Sequence, residues 1–286
     1  LVFNILDVTR FEPTPLPDQL DPGEHPQLHL LREVEDYFSA KNLQECYNDA
    51  HYYLDEIREL FRRGQIPLRA MALAESLFLK IIRRIARELE AGVPVPTELA
   101  GLADSVADIY YANFSIFQSL PDAWAIGQLF PVVPLHRHRE PPTRQAVIAD
   151  ITCDCDGKID RFIDAHQVRR TLPVHPLLAG EEYYLGVFLV GAYQETLGDL
   201  HNLMGDTHVV SIRLKPDGGF DFVKEIPGDS IADVLGYVEY DPRELRERLR
   251  KTAEEAVRTG RISPAERQQV LEAFAASLRG YTYFQK

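Results

Sequence analysis

The sequence is short of positive charge and of long apolar runs, and each shortage excludes a class of protein. Lysine and arginine total 31 against 44 aspartates and glutamates, giving a net charge of −13. Such a surface repels the phosphates of nucleic acid and of an anionic membrane. No apolar run approaches the roughly 18–20 residues that span a bilayer, and the opening LVFNILDV lacks the features of a signal peptide. We therefore expect no nucleic-acid partner and no membrane partner.

Cysteine is also scarce, with Cys46, Cys153 and Cys155 as its three occurrences. An odd number of cysteines, two of them separated by a single residue, does not form the framework of a disulfide-rich secreted protein. This usage favours a reducing compartment, and we expect the protein to be cytoplasmic.

The first part of the chain is predicted to be helical after a short lead-in. Residues 1–27 begin with a segment typical of a strand or of a helix end, whose partner we expect upstream of Leu1. A proline-rich linker completes this range. Apolar residues then recur at steps of three and four, which is the helical period. Residues 28–111 are therefore a predicted helical bundle, broken by GVPVP at 92–96. Its four predicted helices are 28–38, 43–63, 66–89 and 98–111.

The pattern changes to that of strands in residues 112–240, for which we predict an antiparallel β barrel or sandwich domain. Four segments rich in β-branched and aromatic residues are bounded by Gly, Pro and Asp. They are 145–154, 183–193, 208–215 and 220–226. PDGG at 216–219 predicts a hairpin turn between the last two.

Residues 241–286 are predicted to return to helix as a short C-terminal helical segment. Asp241 and Pro242 begin one helix, and Ser263 caps another, in which Pro264 takes the first position and Glu266 completes a capping box. The predicted fold class is therefore α+β and multidomain: a helical bundle, an antiparallel β barrel or sandwich, and a C-terminal helical segment.

The most unusual short stretch is DITCDCDG at 150–157. Zinc sites usually space their cysteines by two to four residues and add a second ligand pair, which is not found here, so no metal site is predicted. A redox pair normally has two residues between its cysteines. Asp and Gly after an apolar strand favour a tight turn, with cysteine as a small buried side chain. A catalytic role for the cysteines is the remaining alternative.

Two further stretches are candidates for a site. An apolar strand leads to Gly191 and Tyr193, where a hydroxyl would stand at the mouth of the strand, although the residue taken alone favours a buried tyrosine bonded to a backbone carbonyl. Residues 112–136 contain Trp124, the one tryptophan of the chain, and packing explains that stretch by default.

Together these stretches resemble the biosynthetic, pyridoxal-phosphate-dependent arginine decarboxylases. NFSIFQSLPD (113–122), QLFP (128–131), DITCD (150–154) with Asp156 and Gly157, and VGAYQETLGDLHN (190–202) carry the resemblance. GDT at 205–207, YDP at 240–242 and GYTY at 280–283 also match. The match runs along the whole chain and is least distinctive in its helical part.

The resemblance implies a larger enzyme that converts L-arginine to agmatine and CO₂ in polyamine biosynthesis. Members of the family begin with a (β/α)₈ barrel that holds the lysine binding pyridoxal 5′-phosphate. This chain resembles everything after that barrel and should be inactive alone. The family is also associated with Mg²⁺, for which the sequence shows no ligand. We expect a homodimer or a dimer of dimers with active sites at the interface.

The resemblance also gives roles to four residues. Cys153 is the cysteine that crosses the dimer interface and returns a proton to Cα, for which a thiol with a reference pKa of about 8.5 is suited because it is still protonated at pH 7. Asp154 and Asp156 bind the cationic end of the substrate, since a guanidinium accepts two carboxylates well. The hydroxyl of Tyr193 reaches the cofactor phosphate.

Three positions depart from the family pattern: Cys155 where we expect Ser, Met204 where we expect Phe, and Gly127 where we expect Asp. Only Cys155 lies in the site loop, so it is the one departure that bears on the fine geometry expected for substrate binding. Two other functions stay open from the sequence. One is a decarboxylase of the same group acting on ornithine or diaminopimelate, and the other is a non-catalytic binding or regulatory module.

Overall fold

The computed structural model describes residues 1–90, 96–165 and 167–285. The helical part is built from α1 (Pro26–Asp36), α2 (Leu43–Arg62) and α3 (Leu68–Glu90). Leu31, Leu54 and Ile81 are almost fully buried where the three helices meet, as the period of 3.6 requires of apolar residues on one face. These three helices are confirmed, whereas the predicted break at 92–96 lies outside the described residues except for Pro96.

The fourth predicted helix, at 98–111, is wrong. Residues 97–105 form only a turn of 3₁₀ helix and α4 (Leu102–Ser105), and Asp108–Ala112 is a strand, β2. Alternate residues of β2 are buried, which is the period of a strand. Asp108 is 2% exposed and its carboxylate accepts two hydrogen bonds from the guanidinium of Arg144. A buried ion pair to a neighbouring strand, which no local pattern encodes, holds this segment in the sheet.

The main sheet has the strand order β3-β9-β1-β2-β4-β5, with β8 also pairing with β4. Its strands are β1 (Val2–Thr9), β2, β3 (Val132–Pro134), β4 (Arg144–Ala149), β5 (Lys158–Ile159), β8 (Leu172–Val174) and β9 (Tyr184–Val187). β1 lies between β9 and β2, antiparallel to both. The expected upstream partner for residues 1–11 is therefore a wrong prediction, because two strands within the chain pair with β1.

The sheet is mixed rather than wholly antiparallel, because β2 and β4 run parallel. A parallel pair needs a long crossover connection, and residues 113–143 provide it with α5 (Ile116–Ser119), α6 (Pro121–Ala125) and β3. The α+β class is confirmed. The domain division at residues 27, 111 and 240 stays a prediction, and in the structure β1 belongs to the sheet while residues 111 and 112 lie in one strand.

Two short hairpins stand apart from the main sheet: β6 (Phe162–Ile163) with β7 (Val168–Arg169), and β10 (Val209–Leu214) with β11 (Phe220–Ile226). The second hairpin confirms the turn predicted at PDGG, where Gly218 has a φ of 86°, a conformation that glycine adopts without steric cost. Residues 208–226 are thus a separate ribbon and not part of the main sheet.

Three helices end the chain: α8 (Ile231–Tyr237), α9 (Pro242–Arg258) and α10 (Pro264–Leu278). Asp241 caps α9, and Ser263 and Glu266 form the predicted capping box of α10. The tail then packs against the segment before β10, where the Tyr283 hydroxyl donates to the Gly205 carbonyl at 2.9 Å. Burial raises the pKa of Tyr283. Of the helices in the described residues, none has the length and apolar character to cross a membrane.

Candidate functional site at one edge of the sheet

Three strands of the main sheet end at the same edge, and one of the unusual stretches of sequence follows each of them. β9 and β2 are both antiparallel to β1, and β4 is parallel to β2. β2, β4 and β9 therefore run in the same direction, so their carboxyl ends share one edge. Residues 113–122, 150–157 and 188–196 begin there. The sheet topology thus brings together segments that are far apart in sequence.

The loop after β4 is built around the carboxylate of Asp150, which is 4% exposed. One oxygen accepts a hydrogen bond from the Ile116 backbone N–H at 2.9 Å. The other accepts from the N–H and the hydroxyl of Thr152, at 2.8 and 2.7 Å. Asp150 N–H donates to the Gly157 carbonyl at 2.8 Å. Because the side chain and the backbone N–H of Asp150 make these bonds within the loop, β4 ends at Ala149. The predicted strand extended to residue 154.

Position 157 requires glycine, because neighbouring side-chain atoms leave no room for a Cβ. A Cβ there would lie far inside contact distance of the Asp150 Oδ1 and 2.5 Å from the Thr152 Oγ1. The loop between Asp150 and Gly157 is thus a tight turn, as its composition predicts. Cys153 and Cys155 lie on this turn and not on a regular strand, so strand alternation does not decide which way they face.

Cys153 is an exposed free thiol held by the side chain of Asn202. Its backbone N–H donates to the Asn202 Oδ1 at 3.1 Å, and the Asn202 Nδ2 donates to its Sγ at 3.4 Å. Cys155 is exposed as well. Sequence reasoning missed Asn202, because it lies 49 residues from Cys153; its place inside the resemblance motif at 190–202 was the one signal.

The two acids of the loop differ in their environment. Asp154 is half-buried, and its Oδ1 accepts from the Asp156 N–H at 2.9 Å. Asp156 is exposed, and its Oδ2 accepts from the Trp124 indole N–H at 3.4 Å. Trp124 packs edge-on against Phe117, with ring centroids 5.0 Å apart. Trp124, which was predicted only to pack, therefore also orients the carboxylate of Asp156.

Asp154, Cys155 and Asp156 bring one possible ligand atom each within 4.8 Å of one another. The group includes a thiol, whereas Mg²⁺ prefers oxygen ligands throughout. Exposed acids on one tight turn also approach one another without an ion. These residues do not fit the Mg²⁺ that the resemblance implies.

Tyr193 lies on α7 (Ala192–Thr196) and is 76% exposed. The predicted strand at 183–193 ends earlier, at Val187, so this hydroxyl is presented by a short helix. The next residue, Gln194, is 4% exposed; its Oε1 accepts from the Asp122 N–H and its Nε2 donates to the Asp122 carboxylate. This pair fixes α7 against the segment after β2 and leaves Tyr193 outward. A phosphate oxygen fits the exposed hydroxyl as an acceptor.

A cleft of about 700 Å³ opens at the same edge, lined in part by Asn4, Gln118, Gln194 and Asp206. Burial, and then the neighbouring Asp229 carboxylate, raise the pKa of Asp206, while a hydrogen bond from Gln118 opposes the change. The cleft is not lined by any of the four predicted site residues. Cys153, Asp156 and Tyr193 are instead exposed at the edge outside this cleft, and Asp154 is half-buried.

Comparisons with known proteins identify the family of the chain. The family model described as "Arginine decarboxylase helical bundle domain" matches residues 21–103, and the "Arginine decarboxylase C-terminal helical extension" matches residues 231–284. A biosynthetic arginine decarboxylase from Nostoc sp. is 43% identical over 99% of this chain and 41% of its own length. Biosynthetic arginine decarboxylase 1 from Synechocystis sp. is 44% identical over 99% of this chain and 42% of its own length.

Among solved structures, the biosynthetic arginine decarboxylase SpeA from Campylobacter jejuni superposes with a TM-score of 0.78 at 28% identity. That match covers 100% of this chain and 45% of the other. The chain thus spans less than half the length of each of these three relatives. Helical bundle, sheet and C-terminal helices all take part in the match, and the chain belongs to the biosynthetic arginine decarboxylase family.

Proposed function

We propose that the protein carrying this chain decarboxylates L-arginine to agmatine and CO₂ in polyamine biosynthesis, with pyridoxal 5′-phosphate as cofactor. The observation that carries the proposal is the common edge of β2, β4 and β9, onto which the three family-like stretches converge. Similarity to arginine decarboxylases along 99% of the chain supports arginine as the substrate. Pyridoxal phosphate, when bound, accepts the electron pair left on Cα as CO₂ departs.

Cys153 is the proton donor in this proposal. Its thiol is exposed and is held at a fixed place on the turn by Asn202. A thiol is protonated at neutral pH and can act as a general acid, transferring its proton to Cα. The electron pair of the S–H bond stays on sulfur, and the thiolate then recovers a proton from solvent.

Asp154 and Asp156 bind the substrate guanidinium. Asp154 uses one oxygen within the turn, which leaves the other for a ligand, and Asp156 is oriented by Trp124. Two carboxylates on one turn suit the planar guanidinium, which presents five N–H donors. Tyr193 contributes its exposed hydroxyl to the cofactor phosphate.

The site is completed by a second subunit. Cys153, Asp156 and Tyr193 are exposed at the sheet edge, and a decarboxylase site must exclude water around the reacting carbon. A homodimer, or a dimer of dimers, in which this edge covers the cofactor site of the partner satisfies that need. The two exposed free thiols fit a reducing compartment, so we place the enzyme in the cytoplasm.

The test is a substrate panel on the full-length protein loaded with pyridoxal phosphate. Release of CO₂ from L-arginine, L-ornithine and meso-diaminopimelate is measured under the same conditions. We expect arginine to be turned over with the highest kcat/KM. Preference for one of the other substrates would identify a different decarboxylase of the group, and no turnover of any of them would favour a non-catalytic module.

Substituting Asp156→Asn is expected to raise KM for arginine about tenfold. The change removes the negative charge but keeps an acceptor oxygen for Trp124, and a hydrogen bond to a charged group contributes about 1.5–3 kcal/mol. Steady-state kinetics of the full-length variant check this. Asp217→Asn, on the exposed turn of the β10–β11 hairpin, is the matched control. An unchanged KM in Asp156→Asn would remove this acid from the proposed substrate site.

Substituting Trp124→Phe is expected to raise KM for arginine by about twofold to tenfold with little change in kcat. The phenyl ring keeps the packing against Phe117 but lacks the N–H that holds Asp156, and one such bond contributes about 0.5–1.5 kcal/mol. Double-mutant kinetics with Asp156→Asn test the coupling. If Trp124→Phe raises KM equally in both backgrounds, the indole does not act through Asp156.

A further inference from the structure

Asn202 makes two contacts with Cys153 and adopts a backbone conformation that is uncommon for a residue with a side chain. Its φ is 56° and its ψ is 24°, in the left-handed region, and the following Leu203 has a φ of 60°. Asparagine tolerates this region better than most residues. The preceding His201 packs on Phe117, with ring centroids 4.5 Å apart. The turn that presents Asn202 is thereby anchored to the segment after β2.

The hydrogen bonds fix which way round the amide of Asn202 lies. The Cys153 backbone N–H can only donate, so the amide oxygen must face it, at 3.1 Å. The amide nitrogen then faces the sulfur of the same residue, at 3.4 Å. An N–H donor directed at sulfur presents its positive end to any negative charge that forms there, and hydrogen bonding to a charged form stabilises that form.

We propose that Asn202 is a positioning residue for Cys153: it holds the thiol on the turn and stabilises the sulfur anion that remains once the proton has gone to Cα. The inference rests on the proposed function, in which Cys153 is the proton donor. In this role Asn202 works through Cys153, with which it makes both contacts. It acts by keeping the sulfur in one orientation and by offering the thiolate a donor throughout the transfer.

The decisive variant is Asn202→Asp, in the full-length protein with Cys155→Ser so that Cys153 is the exposed thiol under study. Asp keeps the acceptor for the Cys153 N–H but replaces the donor to sulfur by a negative charge. Iodoacetamide alkylation of Cys153, followed by peptide mass spectrometry across pH, reports the thiolate. We expect alkylation at pH 8 to slow about tenfold, the effect of a like charge at this distance. We also expect kcat for arginine to fall with KM little changed.

Asn202→Ala and Asn48→Asp complete the experiment. Ala removes both contacts without adding charge, so it should slow alkylation less than Asp does; a residue that merely supports the fold would make Ala at least as damaging. Asn48 is exposed on α2, and the same change of charge there should leave alkylation and kcat unchanged. Melting temperatures of all variants show whether the fold is kept.

The outcomes separate this inference from the proposed function. Alkylation of Cys153 that is as fast in Asn202→Asp as in the parent would overturn the role of Asn202, whatever the activity. Slowed alkylation with full kcat would show that the contact forms but does not serve catalysis, which also overturns the inference. The proposed function is judged separately, by the substrate panel and by the removal of the Cys153 thiol.

Discussion

Replacing Cys153 by alanine in the full-length, cofactor-loaded protein is expected to slow the turnover of arginine by about 10²–10⁴-fold, the usual contribution of a positioned general acid. The thiol is exposed on a turn held by Asn202, and alanine removes its proton without disturbing the backbone bonds of the turn. A larger fraction of aldehyde by-product is also expected, because without the thiol the proton more often adds to a carbon other than Cα. Agmatine, CO₂ and aldehyde would be measured together.

Cys155→Ser is the matched control, since it changes an exposed thiol two residues away on the same turn. Serine is the residue expected here from the family pattern, so turnover should change little. A Cys155→Ser enzyme that has lost its activity while Cys153→Ala retains it would assign the proton to the other sulfur. The orientation of the turn, and not strand alternation, decides between the two, because the strand ends at Ala149.

Replacing Gly157 by alanine is the second change with a large expected effect. The new Cβ would lie 2.5 Å from the Thr152 hydroxyl and closer still to the Asp150 carboxylate, so the turn must move. Such overpacking costs about 1–3 kcal/mol. Displacing the turn by about 1 Å can reduce kcat about 10²-fold. A lower melting temperature and a lower kcat, measured on the full-length protein, are the expected results.

Gly236→Ala provides the control for this prediction. Gly236 lies in α8, and a Cβ there meets nothing within 4 Å, so alanine should be neutral or slightly stabilising, because it is the better helix former. If Gly157→Ala matches Gly236→Ala in melting temperature and in kcat, the close packing of Asp150, Thr152 and Gly157 is not what shapes the turn.

The parts of the fold that sequence predicted well are those with local causes. The apolar steps within 66–89 and the capping box at Ser263 and Glu266 each depend on residues within a few positions of one another, and the structure has helices at both places. The PDGG turn between β10 and β11 has the same local origin. Residues 108–112 are different. They were predicted as the end of a helix, but they form a strand because they pair with β1 and β4.

In the candidate site too, the sequence indicated some residues and missed others. Cys153, Asp154, Asp156 and Tyr193 were selected through the resemblance to the family, and their roles remain proposals. The residues that hold them were not selected: Asn202 bonds to Cys153, and Gln194 anchors the helix that carries Tyr193. Asn and Gln occur throughout any polar surface, so their residue types give no signal until the fold shows what each one contacts.

The sequence by itself determined three helices of the bundle, the caps of the last two helices, and membership of the arginine decarboxylase family, because periodicity, capping and long motifs are encoded in adjacent residues. Only the tertiary structure decided that β1 lies between β9 and β2, that β2 runs parallel to β4, and that the segments after β2, β4 and β9 share one edge. Strand pairing joins residues up to about 180 positions apart, as Phe3 and Leu185 show. Such contacts are selected by burial and hydrogen bonding in the whole fold, which local residues do not specify.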